Sequence, residues 1–143
     1  MSQQQVSHSV VVNATPEQVF ALLADPRKHA EIDGSGTVRS GVSGPEKLSQ
    51  GARFGMRMKM FGLPYGIKNE VVEYEENRRI AWRHFGHHVW RWELEPVDGG
   101  TKVTETFDWA PARSPAMLEK VGFPAKNEKG IEQTLARLQS RFA

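Results

Sequence analysis

The sequence predicts an α+β fold in which a seven-stranded antiparallel sheet wraps around a long C-terminal helix, and three observations lead to this prediction. A short strand runs directly into a capped helix near the beginning of the chain. A long series of segments with alternating apolar residues follows, separated by turns. The last segment carries an apolar stripe at helical spacing. Few folds place one strand and its helix ahead of a sheet and end on a long helix.

The first strand and helix are specified by local signals. Residues 6–13 alternate apolar and polar side chains, which is typical of a half-buried strand. Thr15 is a good N-cap, Pro16 suits the first helical position, and Gln18 completes a capping box. Asp25 precedes a proline and is therefore restricted away from helical geometry, which ends the helix. Two short helices are expected after the first strand, the second beyond this stop.

Six further strands are predicted, at residues 37–41, 52–61, 67–74, 79–85, 89–96 and 101–109. The second of these six has the clearest pattern, because apolar residues alternate with mainly basic ones; its apolar members are Phe54, Met56, Met58 and Met60. Residues 61–66 contain glycine and proline and are predicted to form a loop. Asp98-Gly99-Gly100 is a strong hairpin signal before the last strand.

The C-terminal segment is predicted to be helical in two parts. Ser114 and Pro115 open a short helix that reaches about Val121. A longer amphipathic helix follows, with an apolar stripe at Ile131, Leu135, Leu138 and Phe142. Gly130 within this helix is expected to serve a close approach to the sheet or a ligand, or to be a tolerated defect.

Composition limits the possible functions. The 143 residues predict one domain, and the absence of cysteine excludes disulfides and thiol chemistry. The net charge of +2 is too small to imply a nucleic-acid partner. The N-terminus lacks the features of a signal peptide, and no apolar run is long enough for a membrane span. We therefore expect a soluble, cytoplasmic protein without membrane insertion.

The order of elements resembles the START-like, helix-grip superfamily (SRPBCC), and in particular its bacterial polyketide cyclase/dehydrase-like branch. The resemblance covers essentially all of residues 1–143. Its local anchors are Val12–Phe20, Leu23–Pro26, Leu94–Pro96 with Gly99–Thr101, and Gly130-Ile131 followed by Leu135 and Leu138. The resemblance implies a sheet that curls around the final helix and leaves an apolar cavity between them. It also implies a hydrophobic, lipid- or polyketide-like ligand.

The alternation of each strand indicates which side chains face that cavity. The residues expected to contact a ligand are His8, Phe54, Met56, Met58, Met60, Leu63, Tyr65, Trp82, Trp90, Trp92, Phe107, Ile131 and Leu135. Large apolar and aromatic side chains line most ligand pockets, and methionine adapts to irregular shapes. The alternative is that these side chains simply pack together as core.

Three polar residues, His8, His84 and Glu105, share the phase of the apolar lining. Burying such groups is costly unless they are paired, so they are expected to pair, to lie at the mouth, or to contact a ligand. His84 and Glu105 are the candidate catalytic pair, with an imidazole base oriented by a carboxylate. The alternative is two independent polar groups near strand ends.

No metal or other cofactor is predicted. His84, His87 and His88 lie close together in the sequence, yet their spacing matches no known closed zinc site and no carboxylate accompanies them. Residues 61–66 and 86–88 are two connections that could gate the cavity as mobile lids.

Three functions remain open at this point. The leading hypothesis is a binding or carrier protein for a hydrophobic small molecule. The second is an aromatase/cyclase or dehydratase that acts on a polyketide-like substrate, and the third is a ligand-free protein-binding module. A closed, dry core would favour the protein-binding module. An enclosed cavity in which His84 and Glu105 converge would favour the enzyme. The sequence leaves the ligand open, and the protein is expected to be a monomer or homodimer.

Overall fold

The computed structural model describes residues 4–25, 28, 38–43, 47–60, 63–84, 88–111, 115–120 and 122–142. Within strands and helices it describes only the backbone at residues 38–43, 56–60, 63–67, 84, 115, 117, 118 and 123. The elements in chain order are β1 (Gln5–Val12), α1 (Pro16–Leu23), β2 (Val38–Ser43), β3 (Arg53–Met60), β4 (Leu63–Glu75), β5 (Arg79–His84), β6 (Val89–Val97), β7 (Gly100–Asp108), α2 (Pro115–Lys120) and α3 (Phe123–Arg141).

The strands form one sheet in the order β1-β7-β6-β5-β4-β3-β2, and all neighbouring strands are antiparallel. From β2 to β7 the chain is a meander, while β1 pairs with the last strand. Helix α3 packs chiefly on β1 and β7. The structure therefore confirms the predicted fold, a curved seven-stranded antiparallel sheet with a long C-terminal helix.

The predicted start of α1 is confirmed in atomic detail. The Gln18 backbone N–H donates to Thr15 Oγ1 at 3.2 Å, and the Thr15 backbone N–H donates to Gln18 Oε1 at 2.9 Å. These two bonds satisfy donors that the first helical turn would otherwise leave unpaired. The buried face of α1 includes Phe20 and Leu23. The second predicted helix falls in residues 26–37, of which the structure describes only residue 28.

The hairpin between β6 and β7 anchors the corner where β1 meets α1. The buried Thr101 hydroxyl donates to the Ala14 carbonyl oxygen at 2.7 Å. The neighbouring Gly100 has φ +140°, and a Cβ atom there would lie 1.9 Å from the Val12 carbonyl oxygen. Only glycine fits at this position, because both the backbone conformation and the close approach exclude a side chain.

The predicted loop at residues 61–66 is wrong for residues 63–66, because β4 begins at Leu63. These residues continue the ladder with β3, and Pro64 lies opposite Lys59. The first residue of β4 that pairs with β5 is Asn69, so the described start of β4 has a neighbour on one side only. A proline is tolerated there because no second strand among the described residues needs its missing N–H. A lid of the predicted length is therefore excluded, and residues 61–62 lie outside the described part of the chain.

Helix α3 begins at Phe123, after Gly122, whose φ of +80° marks the break that the sequence predicts. The predicted apolar stripe is confirmed, because Ile131, Leu135 and Leu138 are all at most 1% exposed. At the far end of the helix, Gln139 Nε2 donates to the Val11 carbonyl oxygen at 3.0 Å. Helix α3 is thus fixed against the edge strand β1 as well as against the sheet.

Candidate functional site

The candidate site is the face of the sheet that packs against α3, called the inner face below. The cross-strand register brings these side chains together in rows. The described members of the inner face include Val6, His8, Val10, Phe54, Asn69, Val71, Tyr74, Ile80, Trp82, Trp90, Trp92, Leu94, Val103, Glu105 and Phe107. Apolar side chains make up most of it, so the surface is suited to bury other apolar groups.

The predicted ligand-contact residues fall into two groups. Phe54, Trp82, Trp92, Phe107, Ile131 and Leu135 are buried in the core, and Trp90 packs against them while half-buried. The side chains of Met56, Met58, Met60, Leu63 and Tyr65 lie outside the described residues, although their backbones belong to β3 and β4. Contact of either group with a ligand stays a prediction.

Four rings form an aromatic cluster at the end of the inner face where β6 begins: His88, Trp90, Phe107 and Trp109. The ring centre of Phe107 lies 4.9 Å from that of Trp90, 5.4 Å from that of His88 and 5.6 Å from that of Trp109. Such distances are those of favourable aromatic pairs. Because Trp90 and His88 are only half-buried, the aromatic cluster reaches the molecular surface.

Helix α2 is fixed to the aromatic cluster by one hydrogen bond. The Trp109 indole N–H donates to Glu119 Oε1 at 2.9 Å. Helix α2 therefore borders the end of the inner face where the half-buried rings of the aromatic cluster lie.

Burial lowers the pKa of His88 from its ordinary value near 6.5 to about 4. The imidazole is therefore neutral at neutral pH, because the apolar surroundings disfavour its charged form. No three His, Asp or Glu side chains among the described residues are arranged to hold a metal ion. His87 and the His84 side chain lie outside that description.

A polar row crosses the middle of the inner face. His8 on β1 lies directly opposite Glu105 on β7, and Glu105 lies opposite Trp92 on β6. Glu105 is only 6% exposed, which is unusual for a carboxyl group. His8 Nε2 lies 3.5 Å from a carboxylate oxygen of Glu128 and 3.4 Å from one of Glu132, both on α3. His8 therefore sits at the seam between the edge strand and the helix.

The register does not place the backbones of His84 and Glu105 side by side. Glu105 lies opposite Trp92, which lies opposite Ile80, four residues before His84 on β5. With about 4.8 Å between strands and 3.3 Å per residue, the two backbones lie roughly 16 Å apart on a flat sheet. The imidazole opposite Glu105 is that of His8. The proposed His84–Glu105 pair stays a prediction because the His84 side chain is outside the described residues.

Sequence reasoning missed two polar atoms on the inner face. Asn69 Oδ1 and Trp92 Nε1 are both buried, and neither has a hydrogen-bond partner within the described part of the chain. Asn69 could have been found from its phase, since it alternates with Val71 on a strand whose apolar side faces the core. Trp92 was predicted as an apolar contact, and its unpaired N–H could not be foreseen.

The opposite side of the sheet, called the outer face, carries a ladder of ion pairs. Arg91 donates to both carboxylate oxygens of Glu73, the shorter contact being 2.6 Å, and lies 3.7 Å from Asp108. Hydrogen bonding to Arg91 lowers the pKa of Glu73. A surface pocket of about 300 Å³ on this side is lined mainly by charged side chains. Charged groups of both signs line the pocket, so no apolar ligand is expected there.

An α+β protein whose curved antiparallel sheet grips a C-terminal helix with an apolar inner face belongs to the helix-grip class. The family follows from comparison with known sequences. The chain belongs to the polyketide cyclase/dehydrase and lipid transport family, whose family model matches residues 3–143. None of the described helices is long and apolar enough to cross a membrane.

Two curated proteins are similar to this chain over nearly its whole length. The uncharacterized protein Rv0088 of Mycobacterium tuberculosis (strain ATCC 25618 / H37Rv) is 45% identical over 143 residues, 96% of this chain and 64% of that protein. An uncharacterized protein of strain CDC 1551 / Oshkosh, MT0096, is 44% identical with the same coverage. The chain therefore spans 64% of the length of these curated relatives.

Two solved structures illustrate the shared fold. A crystal structure of a Rhodobacter sphaeroides protein has a TM-score of 0.74 at 21% identity, covering 98% of this chain and 92% of that one. The solution structure of the Aha1 dimer from Colwellia psychrerythraea has a TM-score of 0.69 at 16% identity, covering 96% and 95%. At these identities the similarity establishes the fold alone.

Proposed function

We propose that the protein binds a hydrophobic small molecule between the inner face and α3 and acts as a binding or carrier protein. The observation that carries the proposal is the half-buried Trp90, which extends the buried aromatic surface of Phe107 to the outside of the molecule. An aromatic ring in this position offers an apolar ligand a point of entry. Membership in a family described by lipid transport supports the same class of ligand.

The described core is closely packed, which limits the space available to a ligand. Trp82, Trp92 and Phe107 are at most 8% exposed, so the described inner face holds little open space in this conformation. A ligand would therefore enter at the aromatic cluster and displace packed side chains on its way in. We also propose, as the sequence predicts, that the protein is cytoplasmic and is a monomer or homodimer.

Titration with Nile red, an uncharged fluorescent dye that brightens in apolar surroundings, tests the proposal. We expect saturable binding at about one dye per chain, with energy transfer from tryptophan. Trp90→Ala should weaken binding by roughly tenfold, since it removes the ring at the point of entry. Val11→Ser is the matched control, because Val11 is 44% exposed on the outer face of β1. Absence of saturable binding by the native protein would contradict the proposal.

A second candidate is acid–base catalysis of a cyclisation or dehydration, and the buried carboxyl group of Glu105 favours it. Such a group can transfer a proton to or from a ligand held on the inner face. The predicted partner is His84, while the register supplies His8 instead.

The enzymatic candidate is tested by turnover of a linear poly-β-keto thioester. Glu105→Gln should abolish turnover and leave binding nearly unchanged, because acid–base groups act mainly on the transition state. His84→Ala and His8→Ala, compared side by side, identify the imidazole that takes part. Full turnover by Glu105→Gln would exclude this mechanism.

The third candidate, a ligand-free protein-binding module, is favoured by the close packing of the described core. It predicts that the native protein binds no apolar dye, so the Nile red titration also separates it from the leading proposal.

A further inference from the structure

The indole N–H of Trp92 is unpaired, whereas that of Trp109, another buried tryptophan, has a hydrogen-bond partner. Trp92 is 3% exposed, and its Nε1 has no hydrogen-bond partner among the described residues. Trp109 is buried to a similar degree, yet its N–H is satisfied by Glu119. A buried donor without a partner destabilises the folded protein, and native proteins retain few of them. Its position on the inner face gives it a possible partner in a ligand.

A second unpaired atom lies on the same face. Asn69 is 4% exposed, and its Oδ1 is buried without a partner in the described chain. Asn69 lies on β4, two strands from Trp92 and four residues further along, which corresponds to roughly 16 Å on a flat sheet. Apolar side chains, including Ile80 and Trp82, occupy the space between. A hydrogen-bond donor and an acceptor therefore lie at opposite ends of an apolar strip.

The buried surroundings of Trp92, which include Glu105, determine which polar group can approach it. Glu105 lies directly opposite Trp92 on β7 and is 6% exposed. A negatively charged ligand group at the Trp92 N–H would be placed next to another carboxyl group in surroundings of low polarity. Moving an anion from water into these surroundings is costly, so a neutral oxygen is preferred over a carboxylate.

We infer that Trp92 and Asn69 form the polar contacts of the ligand site, and that the site selects an uncharged, oxygenated hydrophobic molecule. This inference rests on the proposed function. The ligand accepts a hydrogen bond from Trp92 Nε1 through a hydroxyl or carbonyl oxygen, and a second hydroxyl donates to Asn69 Oδ1. Fatty-acid anions are disfavoured because their charge would be buried next to Glu105 in surroundings of low polarity. Both atoms are closed to solvent in this structure, so the ligand reaches them by displacing packed side chains.

Three probes with one twelve-carbon chain test this selectivity: dodecan-1-ol, dodecane-1,12-diol and dodecanoate. Their displacement of Nile red is measured below the concentration at which each probe forms micelles. The alcohol should bind about tenfold more tightly than dodecanoate, because the carboxylate would have to leave water for surroundings of low polarity. The diol should bind at least as tightly as the alcohol, whereas in a purely apolar site its second hydroxyl would weaken binding.

Nuclear magnetic resonance shows which tryptophan takes part, since each of the four indole N–H groups gives one signal. The Trp92 signal should move on addition of dodecan-1-ol, and it is assigned by its absence in Trp92→Phe. The same variant should weaken the binding of dodecan-1-ol by about tenfold, the value of one hydrogen bond to an otherwise unpaired group. Trp109→Phe is the matched control, because its N–H already has a protein partner, and it should retain the affinity for dodecan-1-ol.

Asn69→Leu tests the second contact and keeps the size of the side chain. The variant should lose the relative affinity for the diol while its affinity for the alcohol is retained. Its thermal midpoint should rise, because an unpaired polar atom is removed from the core. Retained diol affinity in Asn69→Leu would remove Asn69 from the site.

The outcomes separate this inference from the proposed function. If Nile red and all three probes fail to bind, the proposed function itself is wrong. If the probes bind but the alcohol and dodecanoate compete equally and the Trp92 signal does not move, the protein binds apolar molecules and the inference about Trp92 is wrong. Preference for dodecanoate would contradict the inference that the site selects an uncharged molecule.

Discussion

Individual residues in this protein are constrained by contacts that a single substitution can test. Gly100 is the clearest case, because a Cβ atom there would lie 1.9 Å from the Val12 carbonyl oxygen. That oxygen belongs to the backbone and cannot move without disturbing the junction of β1 and α1. The nearby Gly99 also has a positive φ, +89°, yet no atom lies within 4 Å of the position its Cβ would take.

We predict that Gly100→Ala lowers the free energy of unfolding by at least about 3 kcal/mol, since conformational strain and a backbone clash add. Gly99→Ala should cost about 1–2 kcal/mol, from strain alone. Urea unfolding followed by circular dichroism measures both. Equal losses in the two variants would show that the approach of Gly100 to β1 is not maintained in solution.

His88 supports a prediction on pH dependence, because burial lowers its pKa to about 4. Below pH 6.5 the unfolded chain takes up a proton at this imidazole before the folded protein does, so protons favour unfolding. The contribution of neutral His88 to the free energy of unfolding is complete above pH 6.5. It decreases as the pH falls to about 4, where the folded protein is protonated at His88 as well. Acidification within this window should therefore destabilise the protein.

The His88→Gln variant isolates this contribution. Between pH 7 and pH 5 the wild type should lose up to about 2 kcal/mol more stability than the variant. Denaturant unfolding at the two pH values measures the difference, and other titrating groups cancel in the comparison. If both proteins lose the same stability, His88 is not buried in its neutral form.

Among the secondary structure elements, α3 matters most for the site, because it covers the inner face. Leu135 is 1% exposed at the centre of its apolar stripe. Leu135→Ala should lower the free energy of unfolding by about 2–5 kcal/mol, since it leaves a cavity in the core. Gln133→Ala, on the exposed side of the same helix, should change stability by less than about 0.5 kcal/mol. A loss below about 0.5 kcal/mol for Leu135→Ala would show that α3 does not pack on the sheet.

Most elements could be predicted because their signals are local. The capping box at Thr15 and Gln18, the alternation in the strands and the stripe of α3 all depend on neighbouring residues in the chain. The beginning of β4 could not be predicted, because glycine and proline usually mark loops. Pro64 is accommodated in a strand only because that part of β4 pairs with β3 alone in the described structure, and strand pairing is a property of the whole sheet.

The arrangement of the candidate site could not be predicted from the sequence of each strand alone. Alternation placed His8, Glu105 and Trp92 on one face, but only the register shows that they form a continuous row. The irregularity between Val71 and Glu73 is a further example, since it brings Tyr74 to the core side against strict alternation. Register and bulges determine which side chains meet, and the sequence of one strand does not specify its partner.

At the scale of the whole molecule, the two faces of the sheet have different roles. The outer face is polar and held by ion pairs such as that between Arg91 and Glu73. The inner face is apolar, closely packed, and interrupted by a few buried polar groups. The contact between the inner face and α3 is expected to supply most of the energy of the fold, because burial of apolar surface is the dominant favourable contribution to folding. A ligand on the inner face would therefore be linked directly to stability.

The central claim is that a hydrophobic small molecule binds at the inner face, and native mass spectrometry of the freshly purified protein tests it most directly. We predict a species heavier than the bare chain by the mass of one small molecule, lost after extraction with organic solvent and restored by adding dodecan-1-ol. The Trp90→Ala variant should carry less of it than Val11→Ser. A spectrum that contains only the bare chain, before and after addition of dodecan-1-ol, would contradict the account.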